Sequence, residues 1–213
     1  MQFKNPFLKA KLFSYPYGDI LQKFGENPLL YGRLGLNGHN GDDIYQPYGT
    51  PMFAVCNGEI ADIKYSPEGF GRHIRLISEW EGDTCYEITY GHLALVPEWL
   101  KIGGHIQSGE VIGYCGNSGY TISNGSPYWG DANPDRQGTH LHIGVREIYK
   151  NDTSWQSCYP DGKCYFIKDY ENGYKGAIDI TPFWEEEIKN QAISIIDIVK
   201  RILEQINLKI KGR

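Results

Sequence analysis

Short apolar segments with alternating polar positions follow one another between residues 51 and 145. Residues 59–63 (EIADI) alternate with a period of two, which predicts a half-buried strand. The pair Asn57-Gly58 separates this segment from the apolar residues 51–55, and such a pair is typical of a hairpin turn, so we predict a hairpin there. Further strands are predicted at residues 72–77, 86–92, 111–115 and 139–145. This spacing predicts a mainly β fold with an antiparallel sheet or sandwich core.

The chain ends in a different pattern, which predicts one amphipathic α-helix over residues 181–213. Thr181 suits the N-cap and Pro182 the first helical position. The seam that follows could pack on its own domain, pair with a second chain for self-association, or dock into a larger assembly such as a virion. Its apolar residues recur mostly at spacings of four and three: Ile188, Ala192, Ile196, Val199, Leu203, Ile206 and Ile210.

The charge, the apolar segments and the cysteines of the chain limit the kinds of protein that it can be. The net charge is -5, which gives no indication of nucleic-acid binding. No segment reaches the roughly 20 apolar residues of a membrane span, and the first residues carry no recognisable secretory signal peptide. The chain has five cysteines. Cys158 and Cys164 flank a predicted tight turn, where they either form a disulfide or remain free thiols.

Five residues with metal-binding or acid–base side chains lie at strand ends or in adjoining loops. His140 and His142 stand two apart on a predicted strand, so both side chains point to one face of the sheet. His39 and Asp43 are four apart in a glycine-containing loop, and both are suitable zinc ligands. His92 ends another predicted strand. Together they predict a metal site, a proton relay, or both.

The order of several motifs resembles the lysostaphin-type (LytM-type) zinc metalloendopeptidases, which cut the peptide part of bacterial peptidoglycan. The resemblance covers about residues 22–147. Its fold is an antiparallel β core with an active-site groove. The matching segments are His39 to Asp43 (HNGDD), residues 47–51 (PYGTP), 57–60 (NGEI), 89–93 (TYGHL), 108–113 (SGEVIG), 116–119 (GNSG) and 138–142 (GTHLH).

The resemblance implies one zinc ion per chain, held by His39, Asp43 and His142. It implies that His92 and His140 are catalytic histidines that do not bind the metal. Three ligands leave one position open for a water, as a catalytic zinc requires. One of the two catalytic histidines would act as general base and the other would orient the water or stabilise the oxyanion.

The domain organisation follows from the extent of this resemblance. Residues 1–149 are predicted to form the catalytic domain with an N-terminal extension. Residues 150–180 are predicted to be a β-like, aromatic-rich excursion of the same domain. The helix at 181–213 lies outside the resemblance.

Two features depart from the family pattern, and a third leaves the choice of one metal ligand open. Ile143 and Gly144 follow His142, where the family usually has an aromatic residue and a glutamate. The long segment between Gly119 and Gly138 replaces a shorter family loop, and its Tyr128 and Trp129 are candidate substrate-groove residues. Asp42, beside Asp43, is an alternative ligand, although the spacing favours Asp43.

The expected function is zinc-dependent hydrolysis of peptidoglycan peptide bonds, in a stem peptide, a cross-link to a diamino acid or a glycine bridge. Without a visible export signal, we expect a phage or prophage lysin, or a tail-associated hydrolase, delivered by phage or released at lysis. The alternatives are a non-catalytic relative that binds wall or regulates a partner, and a structural virion component.

Overall fold

The structure, a computed structural model, describes residues 1, 3–4, 19–123, 125–149 and 156–183. One α-helix (α1, Pro28–Tyr31) and a 3-10 turn (Gly32–Leu34) precede the site. The strands are β1 Asp19–Gln22, β2 Asp42–Tyr45, β3 Pro51–Phe53, β4 Gly58–Ser66, β5 Gly71–Ser78, β6 Thr84–Gly91, β7 His105–Ile106, β8 Val111–Tyr114, β9 Thr121–Ser123, β10 Ser126–Tyr128, β11 Leu141–Tyr149, β12 Gln156–Cys158, β13 Cys164–Ile167 and β14 Ala177–Ile178.

Ten of these strands form one antiparallel sheet. Seven of them follow the order β1-β2-β11-β6-β5-β4-β7, and the other three, β12, β13 and β14, lie off this path. Strand β11 pairs with β6 along one edge, while β2, β14 and β13 follow one another along its other edge. The pairs β3-β8 and β9-β10 form two small separate sheets. The predicted mainly β fold with an antiparallel sheet is confirmed.

The two faces of the large sheet differ in chemistry because side chains alternate along each strand. Ile143 and Val145 of β11 point to one face and join the buried core. Tyr90 of β6 is fully buried in that core, and its hydroxyl accepts a hydrogen bond from the Val55 amide at 2.9 Å. His142 lies between the core residues Leu141 and Ile143 in the sequence and therefore points to the opposite face. The apolar face of β11 is therefore packed into the core, while its opposite face carries His142.

The hairpin predicted at Asn57-Gly58 is wrong. Strand β3 pairs with β8, whereas β4 pairs with β5 and β7. Gly58 is needed for a close approach instead, because a Cβ atom there would lie 2.1 Å from the Ile77 carbonyl oxygen. The Asn57 Oδ1 atom accepts a hydrogen bond from the Ser108 backbone N–H at 2.9 Å. The Asn-Gly pair therefore serves contacts between distant segments.

The excursion after β11 returns to the large sheet. Strands β12 and β13 form a hairpin that places Cys158 opposite Cys164, and the two cysteines form a disulfide. The boundaries 149/150 and 180/181 stay predictions. Residues 184–213 lie outside the described residues, so the terminal helix also stays a prediction. Within the described ranges, every helix is too short to cross a membrane.

Candidate metal centre

The three predicted ligands come from two neighbouring strands and the loop before one of them. His142 on β11 stands directly opposite Asp43 on β2. His39 lies in the loop that leads into β2, and Gly41 lets this loop pass close to β11. A Cβ atom at Gly41 would lie 2.5 Å from the Ile143 carbonyl oxygen and 2.7 Å from the His142 ring. This close approach explains the glycine between the two ligands.

Their donor atoms converge on one point. His39 Nε2 lies 3.0 Å from His142 Nδ1 and 3.2 Å from Asp43 Oδ1. His142 Nδ1 lies 3.0 Å from the same carboxylate oxygen. His39 and His142 are each only 2% exposed. Two imidazoles and a carboxylate gathered in this way can hold a metal ion.

The alternative ligand, Asp42, points away from this cluster. Its Oδ1 accepts a hydrogen bond from the Phe24 backbone N–H at 2.9 Å, and its side chain is fully buried. Burial raises the pKa of Asp42 to about 6 despite that hydrogen bond. The hydrogen bond of Asp42 therefore fixes the segment that follows β1 to the start of β2. Asp43 is the carboxylate that faces the cluster.

The charge of the cluster favours metal binding. Burial opposes ionisation of Asp43, but the imidazoles of His140 and His39 outweigh it and hold the pKa of this carboxyl well below its ordinary value. Burial also lowers the pKa of His142, although Asp43 opposes this effect. An ionised carboxylate and a neutral imidazole are the protonation states that a metal requires of its ligands.

His92 and His140 stand beside the cluster in matched orientations. His92 Nδ1 donates to the Ser118 carbonyl at 2.8 Å, and His140 Nδ1 donates to the Gly138 carbonyl at 2.8 Å. A carbonyl can only accept, so each ring carries a hydrogen on Nδ1, and only Nε2 is left to exchange a proton. The two ring centres are 4.5 Å apart, and His140 Nε2 lies 3.7 Å from Asp43 Oδ2.

Burial, helped by the imidazole of His140, holds the pKa of His92 well below its ordinary value. His92 also has a left-handed backbone, with φ of 60°, and its amide donates to the Phe70 carbonyl at 2.7 Å. The ring is therefore neutral at neutral pH and is held by both its backbone and its side chain. All five predicted residues are thus brought together, and their individual roles stay predictions.

These residues lie in a groove with a cavity of about 470 Å³. The segment after Gly119 forms one wall through Tyr120, Thr121 and Ile122. Tyr128 packs against Arg136 instead, and Trp129 packs on Tyr120 with ring centres 5.3 Å apart. Neither of the two candidate groove aromatics lines the cavity, and their contact with substrate stays a prediction.

The opposite wall was missed from the sequence. It is formed by apolar side chains around α1 together with Tyr31, whose ring centre lies 5.1 Å from that of His39. Burial, with the Asp43 carboxylate, raises the pKa of Tyr31, so the phenol stays protonated at neutral pH. Asn27-Pro28 contains a helix-start signal that indicates α1. The apolar members of this wall are Leu21, Leu30, Leu34 and Leu36.

The long segment 120–138 is held in place at its base by a buried side chain. The Asn117 amide group donates to the carbonyls of Asn133 and Arg136 at 3.0 and 2.7 Å and accepts the Asn133 amide at 2.9 Å. Asp131 adds an ion pair with Arg72 at 3.0 Å. The wall is therefore anchored to the sheet beside His92 and His140.

Comparison with known proteins agrees with this site. The model of Peptidase family M23 matches residues 37–156. Lysostaphin from Staphylococcus simulans is 36% identical over 92 residues, which are 42% of this chain and 18% of that protein. The glycyl-glycine endopeptidase ALE-1 from Staphylococcus capitis is 33% identical over 92 residues, or 42% of this chain and 24% of that protein. The chain therefore spans less than a quarter of the length of either relative.

A solved structure of the antimicrobial peptidase lysostaphin from Staphylococcus simulans shares the fold. The TM-score is 0.51 at 21% identity, over 86% of this chain and 54% of that one. The family model covers more than half of the chain, and the matched region includes all five residues of the site. The chain belongs to Peptidase family M23.

Proposed function

We propose that this chain is a zinc-dependent endopeptidase that hydrolyses peptide bonds of bacterial peptidoglycan. The observation that carries the proposal is the convergence of three ligand atoms, from His39, Asp43 and His142, in a groove that also holds His92 and His140. The name of one similar protein, the glycyl-glycine endopeptidase ALE-1, supports the same reaction class.

The donor atoms fit a zinc ion. Tetrahedral zinc with nitrogen and oxygen ligands at its usual bond lengths separates those ligands by about 3.3 Å. The three separations here are 3.0, 3.0 and 3.2 Å. Only small side-chain movements are therefore needed for His39, Asp43 and His142 to hold the ion. When bound, zinc supplies a Lewis acid that makes a water acidic near neutral pH and polarises the scissile carbonyl.

His140 is placed to accept a proton in the groove. Its Nδ1–H is engaged by the Gly138 carbonyl, so only Nε2 is free to take the proton of an attacking water and return it to the leaving amine. His92 is held in the same way by Ser118. Its Nε2 can orient the water as an acceptor or, once protonated, donate to the oxyanion. The two rings are close enough to exchange these roles.

A single substitution tests this mechanism. His140→Ala should retain the metal and lose about 10²–10⁴-fold in hydrolysis of purified peptidoglycan, the usual contribution of a general base. His105→Ala, at an exposed histidine of β7, should retain both metal and rate. An unchanged rate in His140→Ala would remove this residue from the mechanism.

The bond that is cut is a finer part of the proposal. A stem-peptide bond, a cross-link to a diamino acid and a glycine bridge are the three candidates. Purified peptidoglycans of different cross-link chemotypes, digested with and without a chelator, would identify the bond by mass analysis. Absence of chelator-sensitive cleavage in every chemotype would favour a non-catalytic, wall-binding role.

Delivery is a separate part of the proposal. A phage or prophage lysin, or a tail-associated hydrolase, would meet the wall at lysis or at infection. The apolar seam predicted for residues 184–213 supports attachment to a particle or to a second copy of the chain. Mass spectrometry of purified particles and light scattering of the purified chain distinguish these possibilities from a free monomer.

A further inference from the structure

A second cavity, of about 230 Å³, adjoins the metal centre on the polar face of the large sheet. Three alternate residues of β11 point to this face: His142, Gly144 and Arg146. Gly144 contributes no side chain, so the space between the metal ligand and the arginine is open. Thr89, opposite Gly144 on β6, and Arg75, opposite Thr89 on β5, complete this part of the lining.

The cavity meets a buried polar atom of the metal site. His142 turns Nδ1 towards the metal cluster, so its other ring nitrogen, Nε2, carries the hydrogen when the metal is bound. This Nε2 is buried and has no hydrogen-bond partner among the described residues. A Cβ atom at Gly144 would lie 3.3 Å from it. A metal-binding histidine normally donates this hydrogen to a carboxylate, a carbonyl or water.

The charged side chains of the lining, apart from His142, are all cationic. The lining contains Arg75, Arg146 and Lys175 and no carboxylate. Arg146 is paired with Glu87 below the cavity, and both oxygens of Glu87 are engaged, by Arg146 and by the Tyr159 hydroxyl.

Arg75 is not neutralised by a direct contact. Asp62 stands opposite it on β4, yet the two form no ion pair, and Arg75 Nε has no hydrogen-bond partner in the described part of the chain. Lys175 is exposed at the cavity rim. The buried Glu87 carboxylate interacts electrostatically with Arg75, but neither Arg75 nor Lys175 forms a direct ion pair among the described residues. A cavity with two such cations and an unsatisfied N–H group is suited to an anion with two acceptor oxygens.

We propose that this cavity is a carboxylate-binding subsite, in which one carboxylate accepts hydrogen bonds from His142 Nε2 and Arg75. The ligand occupies the space that an acidic side chain at position 144 would fill. Two sources share this chemistry: a free carboxylate of the substrate peptide and a small free anion such as acetate. The substrate source rests on the proposed function, whereas binding of a carboxylate does not.

The first experiment measures binding without turnover. Acetate is titrated into the zinc-loaded chain while the ¹⁵N and ¹H shifts of the His142 ring are followed. The Nε2 signal should move saturably in the unmodified chain. In Arg75→Gln the affinity should fall at least tenfold, because a charge-assisted hydrogen bond is lost. Lys64→Gln removes a positive charge from the neighbouring strand outside the cavity and should leave the affinity unchanged.

A second pair of variants fills the cavity. Gly144→Glu should supply its own carboxylate, so acetate no longer moves the ring signal, whereas Gly144→Gln adds the same bulk without the charge. A Cβ atom here would lie 3.0 Å from the Asn40 carbonyl oxygen. If either variant fails to fold, Arg75→Gln still decides the matter.

A non-saturating shift, or equal affinity in Arg75→Gln, would overturn the proposal; equal affinity would indicate acetate bound at the metal alone.

The substrate source is tested by KM on peptidoglycan whose stem-peptide carboxylates are free or amidated. The unmodified chain should prefer the free form, and Arg75→Gln should lose that preference while its kcat stays nearly constant. Equal KM values for both forms, with acetate binding intact, would assign the subsite to a small free anion. Lack of any hydrolysis with acetate binding intact would refute the proposed function and leave the subsite standing.

Discussion

Replacing Glu87 with glutamine should destabilise the fold by about 3 kcal/mol and leave the metal centre loaded. Glu87 is fully buried on β6, and Arg146 Nε donates to its Oε1 at 2.8 Å. Removing one partner of a buried ion pair costs about 3–5 kcal/mol, because the remaining charge has no counter-charge. We expect the lower end, since the Arg146 side chain is 18% exposed and glutamine keeps one acceptor oxygen.

Urea unfolding of the zinc-loaded chain measures this loss. With an unchanged m-value the midpoint should fall by roughly 1–2 M. Glu59→Gln is the matched control, because Glu59 pairs with Lys163, whose side chain is 48% exposed. An exposed pair of this kind contributes less than about 1 kcal/mol. Equal losses in the two variants would refute the distinction between the buried and the exposed pair.

The same pair predicts a pH dependence. Burial opposes ionisation of Glu87, but the guanidinium groups of Arg146 and Arg75, together with the hydrogen bonds from Tyr159 and Arg146, outweigh it and lower the pKa of this carboxyl. A lowered folded-state pKa means that the stabilisation is complete above the unfolded value of about 4.3 and is lost as pH falls through the folded value. The stability difference between the unmodified chain and Glu87→Gln should therefore be constant near pH 7 and shrink below about pH 4. A difference that is the same at pH 3 and pH 7 would contradict this reasoning.

Three further outcomes are expected. His39→Ala should lose zinc by elemental analysis while His105→Ala retains about one ion per chain; full zinc content in His39→Ala would refute the ligand assignment. Gly119→Ala should lower the melting temperature far more than Gly125→Ala: both have positive φ, but a Cβ at Gly119 meets backbone at 2.2 Å and one at Gly125 meets nothing within 4 Å. Asn117→Ala should speed proteolysis within residues 124–138, and unchanged cleavage would show that other contacts anchor this wall.

The site was predictable because its chemistry is local in sequence. His140 and His142 share a face by strand periodicity alone, and His39 with Asp43 lies in one glycine-containing loop. What joins these pieces is the pairing of β11 with β2 and β6, which no local pattern specifies. The series of family motifs supplied that long-range information.

The wrong hairpin and the position of two aromatic residues outside the cavity lining have the same physical origin. Asn57-Gly58 has the local chemistry of a hairpin, yet its neighbours pair with strands that are distant in sequence. Tyr128 and Trp129 were candidates because they are aromatic residues of a long loop. Their packing on Arg136 and Tyr120 depends on how Asn117 folds that loop, and the sequence pattern contains no sign of it.

The ligand arrangement also has a consequence for the unfolded chain. His39 and His142 are 103 positions apart, so an ion held by both is a reversible cross-link that closes a loop of that length. Long loops lose the most conformational entropy when closed, and an ion that binds only the folded form stabilises it further as its concentration rises. Folding and metal loading are then a single coupled equilibrium, in which removal of the ion lowers the stability of the folded chain.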